Sequence, residues 1–261
     1  MRYARLLLMQ VRASMLLALQ YRADFLLDGF VEIFWMVPAI VPLAVVFRVR
    51  PHLGEWSFGE ALMVVGWFTF LQGVLEGVIN PSLVTVVDHI RKGTLDFVLL
   101  KPADAQFLVS TARFQPWQCV NVFTAVGIFV WGFVVLGRGP TPADIGVATV
   151  AMLAAVVALY SLWILTVSAA FYVVRIDNLS QLFNAIFDAA RWPVSVFPRV
   201  VRLLFTFVIP LALMTTYPAR ALLGTLPWAT LAGALGGGII AFTVARIVWK
   251  ASIARYTSAG G

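Results

Sequence analysis

Charge is what this sequence has least of. Asp, Glu, Lys and Arg together make up 12% of its 261 residues, about half the ~25% typical of a soluble domain. That excludes a surface exposed to water along its whole extent. Histidine is scarce too. His52 and His89 are the only two, and the topology derived below puts them on opposite sides of a membrane, so a His-based metal site or His-dependent triad within one subunit is not expected. The single cysteine, Cys119, lies in an apolar block and has no intrachain partner for a disulfide. Catalytic signatures are absent as well. The nearest string to a GxxxxGK(S/T) phosphate loop, Arg91-Lys92-Gly93-Thr94, has the wrong order and lacks the earlier glycine. HExxH and GxSxG do not occur. Arg2, Arg5, Arg12 and Arg22 are spread through an amphipathic stretch rather than forming a short basic cap before an apolar core, so no cleavable signal peptide is expected.

What is abundant is apolar and comes in long blocks: 61% of the residues are hydrophobic. A block of roughly 20 apolar residues crosses a bilayer as a helix, and blocks of this length do not fit barrel strands, which alternate over about 10 residues. The fold class is therefore an all-α membrane protein. The segment 2–22 reads as an amphipathic helix on the membrane surface. Spans are expected over 25–47, with Pro38 and Pro42 bending the helix, and over 60–79, 115–136, 144–174 and 227–249. Between 175 and 226 two registers compete. Hydropathy selects 200–222 as the fifth span. The other register selects 178–196 and leaves 198–226 as broken, partly re-entrant short helices, with Pro198, Pro210 and Pro218 supplying the breaks. Both registers give six spans and put most of the 19 Lys and Arg residues, both termini and the loop 80–113 in the cytoplasm. The net charge of +7 then belongs with anionic headgroups rather than nucleic acid.

The loop 80–113 is the most informative stretch. Val84 to Arg91 reads as a short helix, ended by Gly93 in the left-handed conformation. It presents Val86, Val87 and Ile90 beside Asp88, Arg91 and Lys92, a mixture that suits a groove on a partner protein and equally suits rest on lipid headgroups. Carboxylates in or near the spans form a second group. Asp24, Asp28 and Glu32 share a helix face, and Glu76 lies in the second span. They read either as a proton relay or as structural partners of Arg22, Arg113 or Arg175. The glycine-rich run Gly233 to Gly238 reads as a packing face.

The string IRKGTLDFVLLKPAD, Ile90 to Asp104, resembles a small bacterial branch of the type-2 ABC exporter permeases, through Ile90, Arg91, Gly93, Leu95, Asp96, Leu99, Lys101 and Pro102. The proline spacing of 191–224, at Pro193, Pro198, Pro210 and Pro218, is similar to that branch as well. The resemblance implies the ABC-2 exporter fold: six spans in the bacterial inner (cytoplasmic) membrane, with 178–196 as the fifth and 198–226 as an external re-entrant segment. It implies a second permease subunit, identical or homologous, and two ABC ATPase subunits that bind ATP and Mg, with no cofactor bound and no catalysis by this chain. It makes 80–113 the coupling loop, with Val87, Asp88, His89, Ile90, Arg91, Lys92, Gly93, Thr94, Leu95 and Asp96 at the ATPase. The polar fifth span then makes Gln181, Asn184 and Asp188 candidate pathway-lining residues. The alternative function is a proton-coupled secondary transporter using the intramembrane carboxylates Glu32 and Glu76; such a transporter typically shows internal repeats, and the sequence shows none.

Overall fold

The computed structural model describes residues 2–20, 22–172 and 185–256. Helix α1 (Arg2–Gln20) is followed by α2 (Arg22–Val49), which stays continuous through Pro38 and Pro42. A two-stranded hairpin, His52–Leu53 with Trp56–Ser57, leads into α3 (Phe58–Arg91). After α4 (Asp96–Leu99) and α5 (Ala105–Ser110) come α6 (Pro116–Leu136) and α7 (Pro142–Phe171). Two short helices, α8 (199–208) and α9 (211–222), precede α10 (Trp228–Ala254). Among the described residues, α3, α6, α7 and α10 are each long and apolar enough to cross a membrane.

Local chemistry explains the helix starts. Ser57 caps α3 and Thr141 caps α7, each in a reciprocal capping box with the residue three positions on, Glu60 and Asp144. Gly137, at φ +66°, ends α6 in the left-handed region.

The extent of α3 differs from the expected split into a span ending at 79 and a separate helix from Val84. It is one helix of 34 residues. Pro81 has no N–H to offer the carbonyl of Gly77, and that carbonyl accepts a hydrogen bond from the Gln115 N–H instead, at 2.8 Å. A π-helical turn, Leu75–Ile79, widens the backbone just before the proline. The break that a proline ordinarily imposes on a helix is thereby converted into an anchor for the start of α6. The same device recurs near the other end of the chain. π-Turns at Leu204–Val208 and Ala212–Thr216 precede Pro210 and Pro218. Pro198 and Pro210 do bound helices as expected, but Pro218 lies within α9, because the wide turn before it accommodates the ring.

α3 is the centre of the bundle: Ala61, Leu62, Met63, Val64, Phe68 and Leu71 are all buried. α6 crosses it along Gly59, Gly66 and Gly73, spaced seven apart. α7 packs between α3, α9 and α10, and Gly238 of α10 sits against the backbone of Ala154. The outer faces of α6 and α10 carry exposed Phe123, Val126, Val130, Ile239, Ile240 and Ile247, as lipid-facing helices do. At the hairpin end of the bundle, Trp56 is buried and donates from Nε1 to Ser195 Oγ at 2.8 Å, while Glu55 pairs with Arg220.

Candidate functional site: the tip beyond helix α3

At the end of the bundle opposite the hairpin, α3 closes in a Schellman turn. Gly93 has φ +65°, its N–H bonds to the carbonyl of Ile90 at 3.3 Å, and the Thr94 N–H bonds to the carbonyl of His89 at 2.9 Å. His89 Nδ1 and Thr94 Oγ1 lie 2.8 Å apart and pin the turn from its side-chain face. The stop expected at Gly93 is present.

The chain then folds back. Leu95 is 0% exposed and joins a core with Leu83, Val86 and Val87. The expectation that Val86, Val87 and Leu95 face a partner therefore needs correction. They are the apolar underside that fastens the tip to the bundle, and Ile90 packs against the same core. Asp88, Arg91 and Lys92 are exposed, while His89, Gly93, Thr94 and Asp96 are half-buried. The side chains that project are ones the sequence pattern did not single out: Phe97, 71% exposed, and Leu100, 80% exposed, beside Lys101. No local pattern distinguishes these two from Val98 and Leu99, their apolar neighbours. The Schellman turn reverses the chain onto α3, and of the apolar residues that follow, Val98 and Leu99 also pack against the core.

The tip is held on its far side by a polar cluster. Asp104 caps α5, accepting from the Phe107 N–H at 3.0 Å. The Arg246 guanidinium of α10 grips the same carboxylate with both terminal nitrogens, Nη1 lying 3.0 Å from Oδ1, the paired geometry that makes Arg–carboxylate contacts strong. Nη1 also donates to Gln106 Oε1 at 2.7 Å. Gln106, which is buried, donates from Nε2 to the Tyr160 hydroxyl of α7 at 3.0 Å, and that hydroxyl lies 2.7 Å from Ser110 Oγ. The Asp104 N–H donates to the Tyr3 hydroxyl of α1 at 3.3 Å, and the Tyr3 ring meets Phe107 edge-on.

Hydrogen bonds from Arg246 hold the Asp104 carboxyl below its ordinary value of 3.8, against an opposing push from partial burial. A depressed folded value means that the stabilisation is complete above the unfolded value and is lost as pH falls through the folded one. The thermal-stability difference between parent and Asp104→Asn is thus expected to be constant from about pH 6 to 9 and to close only below about pH 4. Melting curves across that range check it.

The remaining sequence candidates are not gathered at the tip. Glu76 accepts from Asn80 Nδ2 at 2.9 Å and lines a cavity of about 630 Å³ with Asp88 and Arg113, between α1 and α3. The Glu32 side chain, Gln181 and Asn184 lie outside what the structure describes. Asp188 is exposed and pairs with Arg191 at 2.9 Å, one turn away. The described end of the polar segment, 185–196, is a turn of helix followed by 3-10 turns at Ala189–Arg191 and Val194–Val196. Among the described residues no group of carboxylates, histidines and cysteine is arranged to hold a metal.

No curated protein matches the sequence. The family model described as ABC-2 family transporter protein, however, matches residues 33–260. That range takes in α3, α6, α7 and α10 as well as the tip, and it agrees with the resemblance carried by Ile90 to Asp104. This helical membrane protein belongs to the ABC-2 transporter family and is a permease of that type.

Proposed function

We propose that this chain is the permease subunit of a bacterial ABC exporter, that its tip docks on a separate ATPase, and that Phe97 and Leu100 are the anchors. The observation that carries this reading is the exposure of two large apolar side chains in and just after α4, the short helix that follows the turn at the end of the long helix α3. An apolar plug flanked by Arg91, Lys92 and Lys101 suits an apolar groove with an acidic rim. ATP and Mg bind and react in the partner, since this chain has no phosphate loop. The cluster of basic residues at the tip end supports a cytoplasmic tip and cytoplasmic termini in the inner membrane. The pair α8 and α9, broken at Pro210, supports an external re-entrant segment, and a fifth span expected over 178–196 would end near Arg191, since the backbone turns extended at Trp192. With two ATPases and a second permease, identical or homologous, the assembly has the two-fold form usual for oligomers.

The test is a pull-down of tagged protein from its native host, with mass spectrometry of what remains bound. The parent is expected to retain an ATPase bearing a phosphate-loop motif. Phe97→Asp with Leu100→Asp should accumulate like the parent yet lose that ATPase by roughly 30-fold or more, the scale of a lost interface hot spot of ~2 kcal/mol. Retention by the variant would move the docking site elsewhere. No ATPase with the parent would sink the exporter reading.

A further inference from the structure

The geometry points to Arg246 as a joint that passes movement of the docking tip to the last membrane helix; this inference rests on the exporter reading above. Arg246 lies two turns before the end of α10, whose other described side chains in that stretch are mostly apolar. A cation there is costly unless it is paired. The pairing is with the tip side: Asp104 lies just beyond Leu100 and Lys101, and Gln106 is on the first turn of α5. Through Gln106 the contact continues to Tyr160 of α7, and through the Asp104 backbone to Tyr3 of α1. Four helices, α1, α5, α7 and α10, thus meet at one set of hydrogen bonds a few residues from the proposed docking anchors.

The way these bonds are distributed makes the cluster a joint rather than a general packing contact. α3 is continuous with the tip, so it follows any tip movement through its own backbone. α10 has no such connection, since it lies more than a hundred residues away in sequence. Its contact with the tip region is polar and directional, with a guanidinium held by two carboxylate oxygens and an amide oxygen. Such an arrangement resists both rotation and sliding, which an apolar contact between smooth helix faces does not. When the ATPase pair pushes on Phe97 and Leu100, the displacement of 96–110 therefore pulls α10, one uninterrupted helix, with it along its whole length. Arg246 acts here as a positioning residue and touches neither nucleotide nor cargo.

The experiment uses the reconstituted permease–ATPase complex in nanodiscs. Cys119→Ala removes the sole cysteine, and Trp228→Cys, at the exposed far end of α10, carries an environment-sensitive fluorophore. In the parent, ATP with vanadate is expected to shift the emission. Arg246→Gln and Asp104→Asn should each cut that shift by at least about five-fold, the lower end of typical coupling energies, with the ATPase still bound. Asparagine is itself a good helix cap, so Asp104→Asn keeps the start of α5 intact. Arg246→Lys, which keeps the charge but loses the two-pronged grip, should give a shift between those of Arg246→Gln and the parent. The double variant should be no worse than either single one, since both remove the same contact.

An undiminished shift in Arg246→Gln, or in Asp104→Asn if the former does not accumulate, overturns the joint. A parent complex that holds its ATPase but shows no shift also overturns it, and leaves the exporter reading standing. A parent that holds no ATPase removes both.

Discussion

A Leu95→Asp protein is expected to fail at assembly in the membrane, leaving no folded permease whose docking can be measured. Leu95 is 0% exposed, enclosed with Leu83, Val86 and Val87 where the chain folds back beneath the Schellman turn. Truncating a leucine in such a place costs about 2–5 kcal/mol through lost contacts and the cavity left behind. Aspartate adds the cost of placing an ionised group in an apolar core. The sum reaches several kcal/mol, against a whole-protein stability of about 5–15 kcal/mol. Detergent extraction followed by size-exclusion chromatography provides the check. Leu95→Asp should appear at under about a tenth of the parent yield, or in the void volume, whereas Phe97→Asp should elute as the parent does, since a polar change on the surface is usually within ~0.5 kcal/mol. A monodisperse Leu95→Asp protein would mean that the fold-back is not what holds the tip.

The contrast between Leu95 and Phe97 marks where sequence reading stops. The apolar blocks at 60–79, 115–136, 144–174 and 227–249 correspond to α3, α6, α7 and α10, because a membrane demands long uninterrupted apolar runs and those are visible without knowledge of neighbours. The stop at Gly93 is equally local, since a single left-handed residue decides it. Which face of the tip is buried is not local. Val86, Val87 and Leu95 look like docking anchors when the helix is considered alone, and they turn inward because they complete a core with residues of α3 itself and of later helices. The continuity of α3 is hidden for a related reason. Pro81, beside Glu76 and Asn80, has the signature of a helix boundary, and the hydrogen bond that compensates for it comes from Gln115, 34 residues away. The Arg246 contact with Asp104 is likewise a meeting of two residues with no sequence signal linking them.

One feature of large effect that sequence reading did not single out is the set of glycines at 59, 66 and 73, whose spacing of seven is its signal. A β-carbon built at Gly73 would lie 2.9 Å from Asn121 Cβ and 3.2 Å from the backbone carbonyl oxygen of Gln118. At Gly66 it would lie 2.4 Å from the Phe129 ring, and at Gly59 2.7 Å from Leu136. The three positions are two helical turns apart, so they line one edge of α3, and their lack of side chains sets how closely α6 approaches. Glycine is otherwise a poor helix residue, by about 1 kcal/mol relative to alanine. Its place here is therefore decided by the neighbouring helix rather than by α3 alone. Gly127 of α6 makes the opposite case, since a β-carbon there meets nothing within 4 Å.

The two substitutions are thus expected to move stability in opposite directions. Gly73→Val should lower it by about 1–3 kcal/mol or more, because the obstructing atoms belong to a backbone carbonyl and to a β-carbon that no rotamer change can move. Gly127→Ala should raise it by up to ~1 kcal/mol through helix propensity alone. Thermal unfolding of the purified protein in one detergent, followed by the loss of helical circular dichroism, measures both. A loss on Gly73→Val beside a gain on Gly127→Ala establishes the α3–α6 crossing as a close-packed seam. Equal small changes at both positions would mean that α6 is free to retreat, and that the bundle does not depend on this crossing to place α3 over the tip.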